Sequence, residues 1–464
     1  MSLEQQHEAS DPKFSAWVEA SAGAGKTKIL TDRVLRLLLA GVPPERILCL
    51  TFTKAAAAEM AMRITSRLSA WSLASDAALC DDLLRLSGKR AKKNVLERAR
   101  GLFALVVDSA EKLQVVTIHG FCQSLLRRFP LEAKLSPQFD VIDDTIAKEY
   151  LKTARDLIIR KAISEQNGPF ANAFVEIAET INEDELSNLL EEIIGEQYRF
   201  REIFEGSANE KTLGNFIRAQ LNVNSLETEL KIIEAISSYD SRTLAELEKA
   251  VEILMSGNQS DRALSSAIKN WLQNEKVNRA SFENYKLGFL TQKGSIRTRL
   301  ASVKIFNEHP SLEQTLTSEA SRLTAVDDKL KCLDLVSKNE KLAFLSQSVM
   351  QLYAENKKNN AVIDYDDLIT LANRLIANDE ISPWILYKLD GGIDHLLLDE
   401  AQDTNSDQWK IVETLVKEFF TEQNGIGNLG SRTLFVVGDP KQSIFSFQGA
   451  DPNLFKIKQQ ALKE

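Results

Sequence analysis

Hydrophobic residues follow two alternating patterns along the first 130 residues of the chain. Short apolar runs rich in β-branched residues predict buried strands at residues 15–20 (SAWVEA), 46–53 (RILCLTFT) and 113–120 (LQVVTIHG). Between the first two, residues 26–41 (KTKILTDRVLRLLLAG) carry apolar side chains at helical spacing and end on a glycine, which predicts an amphipathic helix. Strands that alternate with helices predict an α/β fold with a parallel sheet.

The pattern changes between residues 131 and 360, where Leu, Glu, Lys, Ala and Asn are frequent. After Pro137 this zone holds two prolines, Pro169 and Pro310. Apolar residues recur at helical spacing, as in residues 186–200 (LSNLLEEIIGEQYRF). These features predict a mostly helical domain.

Strand-like apolar runs return at residues 393–403 (IDHLLLDEAQD) and 432–447 (RTLFVVGDPKQSIFSF). They predict further strands of the first sheet, and residues 421–432 (TEQNGIGNLGSR) carry loop signals before the last one. We therefore expect one α/β domain that is interrupted by an inserted helical domain. The expected parts are, in chain order, residues 1–130, 131–360 and 361–464.

Composition narrows the class of protein. With 464 residues, 44% of them hydrophobic and 27% charged, the chain can build two or three domains. No apolar run approaches the ~20 residues that span a bilayer, and the polar N-terminus does not resemble a signal peptide. The four cysteines are scattered, which argues against a disulfide framework or a zinc site and favours a reducing, cytoplasmic location.

The net charge of −9 argues mildly against nucleic-acid binding, which usually leaves a basic footprint. The argument is weak because a basic groove can lie on an acidic protein. The densest basic run, residues 88–100 (GKRAKKNVLERAR), is expected to be a solvated helix face rather than a phosphate contact.

Residues 20–27 (ASAGAGKT) lie between a predicted strand and a predicted helix, where a phosphate is expected to bind the helix N-terminus. In such a loop Lys26 would reach the β- and γ-phosphates, and the Thr27 hydroxyl would bind Mg²⁺. Ala20 stands where the usual pattern has glycine. The alternative is a turn without a ligand. The expected nucleotide-binding residues of the loop are Ala20, Ser21, Ala22, Gly23, Ala24, Gly25, Lys26 and Thr27.

Asp399 and Glu400 follow a buried hydrophobic strand, where adjacent carboxylates are costly unless they serve a cation or a proton. Asp399 is expected to bind Mg²⁺, and Glu400 to deprotonate the attacking water. Taken alone, the pair would also fit a helix N-terminus with acidic first-turn residues. Beyond the last strand, Gln442 is suited to sensing a γ-phosphate. Phe445 and Phe447 are either core residues or a platform for nucleic-acid bases.

Five motifs, ASAGAGKT, LTFTKAAAAEM, VVTIHGFC, LLLDEAQDT and VVGDPKQSIFSFQGAD, resemble in order and form those of the UvrD/Rep-like superfamily 1 DNA helicases. TIHGFC and GDPKQSIFSFQGA are more similar to the RecB/AddA helicase–nucleases than to the shorter UvrD type. The residues around the phosphate loop are most similar to the AddA branch of alphaproteobacteria. Residues 289–300 (FLTQKGSIRTRL) also resemble a stretch of the AddA helical insertion.

The resemblance implies a RecA-like P-loop NTPase sheet flanked by helices and interrupted by a helical domain. It implies catalytic roles for Lys26, Glu400 and Gln442, and it makes Gln6 the candidate adenine-reading residue, with Gln5 as a competitor. His119 could instead be a structural, hydrogen-bonded histidine, and Gln448 replaces an arginine common in the UvrD branch. The positions that match DNA-binding motifs are Phe52, Thr53, Lys54, Thr117, His119, Phe121, Phe445 and Phe447.

The implied function is the N-terminal, ATP- and Mg²⁺-dependent half of a 3′→5′ DNA helicase–nuclease subunit that unwinds and resects DNA ends in recombinational double-strand break repair. Its implied partners are single- and double-stranded DNA ends and an AddB-like subunit. The second RecA-like domain and the nuclease domain are expected beyond this chain. Because an arginine finger is worth ~10³–10⁵ in rate, the chain alone should hydrolyse ATP poorly. The alternatives are a UvrD-type helicase without a nuclease and a non-catalytic, ATP-gated DNA-binding scaffold.

Overall fold

The computed structural model describes residues 3–20, 25–108, 113–165, 168–195, 211–224, 227–274, 276–378, 384–385, 388, 393–420, 432–442 and 452–461. Its strands are β1 (Ala16–Glu19), β2 (Ile47–Thr51), β3 (Gln114–Thr117), β4 (Asp140–Val141), β5 (Val362–Ile363), β6 (His395–Leu398) and β7 (Thr433–Gly438). The helices that belong with the strands are α1 (Leu3–Ala9), α2 (Lys26–Ala40), α3 (Lys54–Leu73), α4 (Asp76–Ser87), α5 (Lys93–Asp108), α6 (Ile118–Arg128), α17 (Tyr365–Ile376), α18 (Ser406–Val416) and α19 (Pro452–Ala461).

The remaining helices fill the middle of the chain. They are α7 (Asp144–Ser164), α8 (Pro169–Ala178), α9 (Glu183–Gly195), α10 (Lys211–Gln220), α11 (Glu229–Ser237), α12 (Ser241–Met255), α13 (Gln259–Leu272), α14 (Arg279–Phe289), α15 (Val303–Glu308) and α16 (Pro310–Asn359). No helix in the described ranges is both long and apolar enough to cross a bilayer.

The chain divides into two compact units. The sheet unit comprises Met1–Glu149 and Asn356–Glu464, and the helical unit comprises Tyr150–Glu355. Helices α7 and α16 each run without interruption past the residue at which one unit ends and the other begins. The inserted domain at residues 131–360, with its boundaries, stays a prediction.

Five strands of the described chain form one parallel sheet in the order β1-β7-β6-β2-β3. Every residue of β2, β6 and β7 is buried, which explains why these strands have continuous apolar runs rather than alternating ones. The strands predicted from the sequence are all present in this sheet. The predicted α/β class with a parallel sheet is therefore confirmed.

Side chains of the central strands alternate between two cores. Leu48 and Leu50 of β2 pack into one hydrophobic cluster with α6, α17 and α18. Ile47 and Cys49 of the same strand pack into a second cluster with α2, α3, α4 and α5. The described helices thus cover both faces of the sheet.

Helix α2 has the length that the sequence predicts. Its buried apolar residues recur at helical spacing, and Gly41 ends it in the left-handed conformation at φ +93°. The N–H of Gly41 then bonds to the carbonyl of Leu38, and the N–H of Val42 bonds to that of Leu37, which satisfies carbonyls at the helix end.

The described part of the helical unit packs around two hydrophobic clusters of its own. One cluster joins α11 to α14 with the first half of α16, and the other joins α7, α8 and α9 with its second half. Helix α16 has 50 residues, and at ~1.5 Å per residue it extends for about 75 Å.

Candidate active site

The candidate site lies at the carboxyl edge of the sheet, where β1, β6 and β7 end. Ala20, the residue after β1, donates its backbone N–H to the carbonyl oxygen of Gly438 on β7 at 3.2 Å. Asp399, the residue after β6, donates its backbone N–H to the carbonyl oxygen of Leu50 at 2.9 Å. In open α/β sheets, ligands bind in the crevice at this edge.

Lys26 and Glu400 meet at this edge although 374 positions separate them in the sequence. The Lys26 ammonium donates to Oε2 of Glu400 at 2.9 Å. The Lys26 side chain is 9% exposed and that of Glu400 is 35% exposed, so the pair is only partly shielded from water. The residue expected to bind phosphate thus contacts the residue expected to act as the base.

Half of the expected phosphate loop is placed by the structure. Gly25 lies just before α2 at φ +84°, a left-handed conformation that glycine adopts without strain. Lys26 and Thr27 then form the first two residues of α2, whose N-terminal N–H groups are free of intrahelical partners and suited to an anion. The other four predicted loop residues, Ser21, Ala22, Gly23 and Ala24, lie outside the described residues.

The backbone of Glu400 is left-handed, at φ +49° and ψ +44°. A non-glycine residue in this region costs roughly 1–2 kcal/mol, and such strain concentrates at functional sites. The conformation turns the chain sharply at the end of β6, and the short 3₁₀ helix Ala401–Asp403 follows immediately. The strain thus falls on the residue whose carboxylate contacts Lys26.

Asp399 is 5% exposed, and its Oδ1 accepts the backbone N–H of Glu400 at 3.0 Å. Burial, and then the neighbouring Glu400 carboxylate, raise the pKa of Asp399 to about 6. A cation beside this carboxylate would remove most of that penalty. The carboxylate of Asp399 and the hydroxyl of the half-buried Thr27 are the hard oxygen ligands that Mg²⁺ prefers, so the residues present fit this ion.

Replacing Asp399 by asparagine should stabilise the protein in metal-free, nucleotide-free buffer above pH 7. Because the pKa of Asp399 is raised to about 6, its ionisation above pH 7 lowers the free energy of unfolding by up to about 3 kcal/mol. The gain should shrink as the pH falls through 6 towards 4, because the folded protein then binds the proton. Urea unfolding at pH 8 and pH 5 measures both effects.

Asp81→Asn, at an exposed aspartate on α4, is the matched control and should leave the urea midpoint unchanged at both pH values. A midpoint for Asp399→Asn equal to that of wild type at pH 8, or a difference that persists unchanged at pH 5, would contradict the assigned cause.

Sequence reasoning missed Gln402, which lies inside the DEAQD motif. Its side-chain amide donates to Oε2 of Glu400 at 2.8 Å, and its oxygen accepts the backbone N–H of Asp439 at 2.8 Å. The available signal in the sequence was a glutamine two residues after the candidate base. Gln442 belongs to the 3₁₀ helix Pro440–Gln442 after β7, and its side chain lies outside the part of the chain that the structure describes.

Gln6 lies on α1, near the start of α2. Its side-chain oxygen accepts a hydrogen bond from Lys28 at 3.2 Å. The segment that carries it is held to α2 by Arg33, whose guanidinium donates to the carbonyl oxygens of Ala9 at 3.2 Å and Asp11 at 2.8 Å. The adenine-reading role of Gln6, with Gln5 as its competitor, stays a prediction.

Two of the candidate DNA-binding residues cap helices. The Thr53 hydroxyl accepts the N–H of Ala56 at 3.1 Å, at the start of α3, and the Thr117 hydroxyl accepts the N–H of Gly120 at 3.0 Å, at the start of α6. Such caps typically stabilise a helix by about 1 kcal/mol. Both threonines therefore have a local structural role at the carboxyl ends of β2 and β3, whatever else they bind.

The other candidates differ in exposure. Lys54 is exposed, and Phe52 is half-buried. The rings of His119 and Tyr365 form an edge-to-face contact with their centroids 5.6 Å apart, and burial lowers the pKa of His119. Phe121 is 4% exposed and packs in the core under α17. Phe445 and Phe447 lie outside the described residues.

The family model of the UvrD/REP helicase N-terminal domain matches residues 1–463. Among curated relatives, the AddA subunit of the ATP-dependent helicase/nuclease from Lactobacillus gasseri is 26% identical over 479 residues, which cover 98% of this chain and 37% of that protein. The proteins of the same name from Staphylococcus carnosus and Enterococcus faecalis are 24% and 25% identical, and each alignment covers 94% of this chain and 34% of the relative. The chain thus spans about a third of the length of these relatives.

Proposed function

Since the chain belongs to the UvrD/REP helicase family, whose N-terminal domain matches it over residues 1–463, we propose that it is the ATP-binding part of an ATP-dependent 3′→5′ DNA helicase–nuclease subunit that unwinds and resects DNA ends in double-strand break repair. The observation that carries the proposal is the contact of Lys26 with Glu400, at 2.9 Å. It brings residues from the first and the third zone of the chain together at the carboxyl edge of the sheet.

The sheet unit supports a RecA-like P-loop architecture. Its strands are parallel, helices cover both faces, and the candidate phosphate-binding lysine begins the helix that follows β1. By the same reasoning we assign residues 131–360 to an inserted helical domain. A second RecA-like domain and a nuclease domain would come from the remainder of a longer protein, since the relatives are about three times as long.

The residues of the site would divide the work of ATP hydrolysis. Lys26 would neutralise charge on the transferring phosphoryl group, and Glu400 would accept the proton of the attacking water. Thr27 and Asp399 would hold Mg²⁺, which supplies charge neutralisation on the phosphates when bound. Gln442 would contact the γ-phosphate, and Gln6 would contact the adenine.

The contact between Lys26 and Glu400 has a consequence for this mechanism. The Lys26 ammonium donates a hydrogen bond to one oxygen of the Glu400 carboxylate. A bound triphosphate would attract Lys26 to itself and release Glu400 for proton transfer.

Partners follow from the same proposal. Single- and double-stranded DNA ends are the proposed substrate, and an AddB-like protein is the proposed second subunit, because the relatives are named as subunits of a helicase/nuclease. A cytoplasmic location accords with the four cysteines, which are all free.

An unwinding assay tests the proposal. The full-length protein, with its partner subunit, is given duplexes that carry a 3′ tail, a 5′ tail or blunt ends, together with Mg²⁺ and ATP. Strand separation that needs ATP and prefers the 3′ tail or a blunt end is expected. Absence of strand separation on all three substrates would overturn the helicase assignment.

Phe447→Ala should weaken binding of single-stranded DNA by the full-length protein by at least ~1 kcal/mol, because an aromatic ring that stacks on a base contributes ~1–3 kcal/mol. Fluorescence anisotropy of a labelled oligonucleotide measures the change. Phe14→Ala is the control, because this substitution removes a comparable ring from a residue that is 68% exposed. Equal affinities for the two variants would assign Phe447 to packing.

A further inference from the structure

Gln402 is buried among the groups of the candidate active site, at 2% exposure. Each polar position of its side-chain amide is used. Nε2 donates to Oε2 of Glu400 at 2.8 Å and to Oδ2 of Asp403 at 3.1 Å, while Oε1 accepts the N–H of Asp439 at 2.8 Å. Because a backbone N–H can only donate, the contact with Asp439 fixes which end of the amide is oxygen and directs both donors at carboxylates.

The two ends of this amide join two functional segments. Glu400 follows β6, and Asp439 begins the turn that leads from β7 to Gln442. The fit is close at Gly438, where a Cβ atom would lie 2.8 Å from Oε1 of Gln402 and 2.6 Å from the ring of Phe455. The glycine therefore allows the backbone of the turn to approach the glutamine.

Oε2 of Glu400 receives two donors, Lys26 at 2.9 Å and Gln402 at 2.8 Å. The proposed mechanism removes Lys26 from this oxygen when a triphosphate binds. Among the described residues, Gln402 is then the side chain that still donates to this oxygen and orients the carboxylate. The Glu400 backbone is left-handed, and such a conformation persists only where surrounding contacts maintain it. The hydrogen bond from Gln402 is one of these contacts.

We propose that Gln402 is a positioning residue for ATP hydrolysis, which holds the Glu400 carboxylate in its reactive orientation and ties it to the turn that begins at Asp439. This inference rests on the proposed function, because it assigns Glu400 the role of base. The side-chain hydrogen bonds of Gln402 go to Glu400, Asp403 and the N–H of Asp439, so its proposed role is exerted through Glu400 rather than on the substrate. Its loss should therefore lower kcat for ATP and leave KM nearly unchanged.

Gln402→Glu changes the donor end of the side-chain amide and keeps the acceptor end. The introduced carboxyl group keeps an oxygen for the N–H of Asp439 but presents no donor to Glu400 when ionised. Steady-state ATP hydrolysis by the full-length protein with single-stranded DNA should show kcat reduced by about 10–100-fold at pH 8, with KM for ATP within about twofold of wild type.

The pH profile distinguishes positioning from packing. When protonated, the introduced carboxyl group regains one O–H donor, so the ratio of variant to wild-type kcat should rise as the pH falls from 8 to 6. The control is Gln408→Glu, at another buried glutamine whose Oε1 accepts a backbone N–H, that of Asn405, at 3.1 Å. Its kcat ratio should stay near one and flat with pH.

Gln402→Asn gives a second test if the first variant folds poorly. It keeps the amide but shortens its reach by one methylene, so kcat should again fall while the KM for ATP stays nearly unchanged. Wild-type kcat in either folded variant, or a pH-independent ratio in Gln402→Glu, would overturn the role of Gln402 alone. Absence of ATP hydrolysis by the wild-type protein would instead overturn the proposed function together with this inference.

Discussion

Replacing Glu400 by glutamine is expected to lower kcat for ATP hydrolysis by about 10²–10⁴-fold, while ATP still binds. An amide of the same shape cannot accept the proton of the attacking water. It also cannot form the ion pair with Lys26, whose ammonium lies 2.9 Å from Oε2 of the carboxylate. Nucleotide binding would no longer compete with that pair, so affinity should be unchanged or higher.

Steady-state hydrolysis and titration with a fluorescent ATP analogue, both on the full-length protein, measure the two effects of Glu400→Gln. Glu413→Gln is the matched control, because Glu413 forms a comparable pair with Lys458, at 2.5 Å, on α18 and α19. A loss of nucleotide binding that parallels the loss of kcat would show that Glu400 supports the structure of the site rather than its chemistry.

Replacing Lys26 by alanine is the second large change. It should abolish detectable ATP binding and lower hydrolysis by at least 10²–10³-fold, the range typical of removing one preorganised electrostatic contact. The fold should persist, because Glu400 is 35% exposed and can be solvated when its partner is removed. The α2 helix keeps its buried apolar face in this variant.

Circular dichroism measures the folding of Lys26→Ala, and nucleotide titration measures its ATP binding. Lys458→Ala is the control, because it also removes the lysine of a lysine–glutamate pair. Unfolding of Lys26→Ala alone would make the lysine a structural residue. Retention of ATP affinity would remove it from the phosphate site.

The elements of the sheet unit were predictable because their signals are local. Continuous apolar runs gave the buried strands β2, β6 and β7, and the spacing of apolar residues with a final glycine gave α2. The order β1-β7-β6-β2-β3 required coordinates, since β1 pairs with β7 from the far end of the chain.

No comparable sequence pattern marks the positions at which one unit ends and the other begins. Helices α7 and α16 continue through both positions at which the units meet in the sequence, so the helical pattern shows no break there. A change of composition is the signal behind the predicted helical domain, and its boundaries at residues 131 and 360 stay a prediction.

The candidate site was predictable in its charged residues and not in their support. Lys26 stood out because it lies in a phosphate-loop pattern between a strand and a helix. Asp399 and Glu400 stood out because adjacent carboxylates beside a buried strand are costly without a function. The left-handed backbone of Glu400 and the amide of Gln402 depend on contacts between neighbouring strand ends, which no local pattern encodes. The motifs that contain Thr53 and Thr117 were interpreted as DNA-binding, and they did not indicate that both threonines cap helices.

The rate of ATP hydrolysis by the full-length protein, measured with and without single-stranded DNA, tests the central claim most directly. If Lys26, Asp399 and Glu400 form one nucleotide site that drives movement on DNA, single strands should accelerate hydrolysis by wild type. The acceleration should vanish in Lys26→Ala and in Glu400→Gln. A rate that is the same with and without DNA, or one that survives both substitutions, would contradict the account.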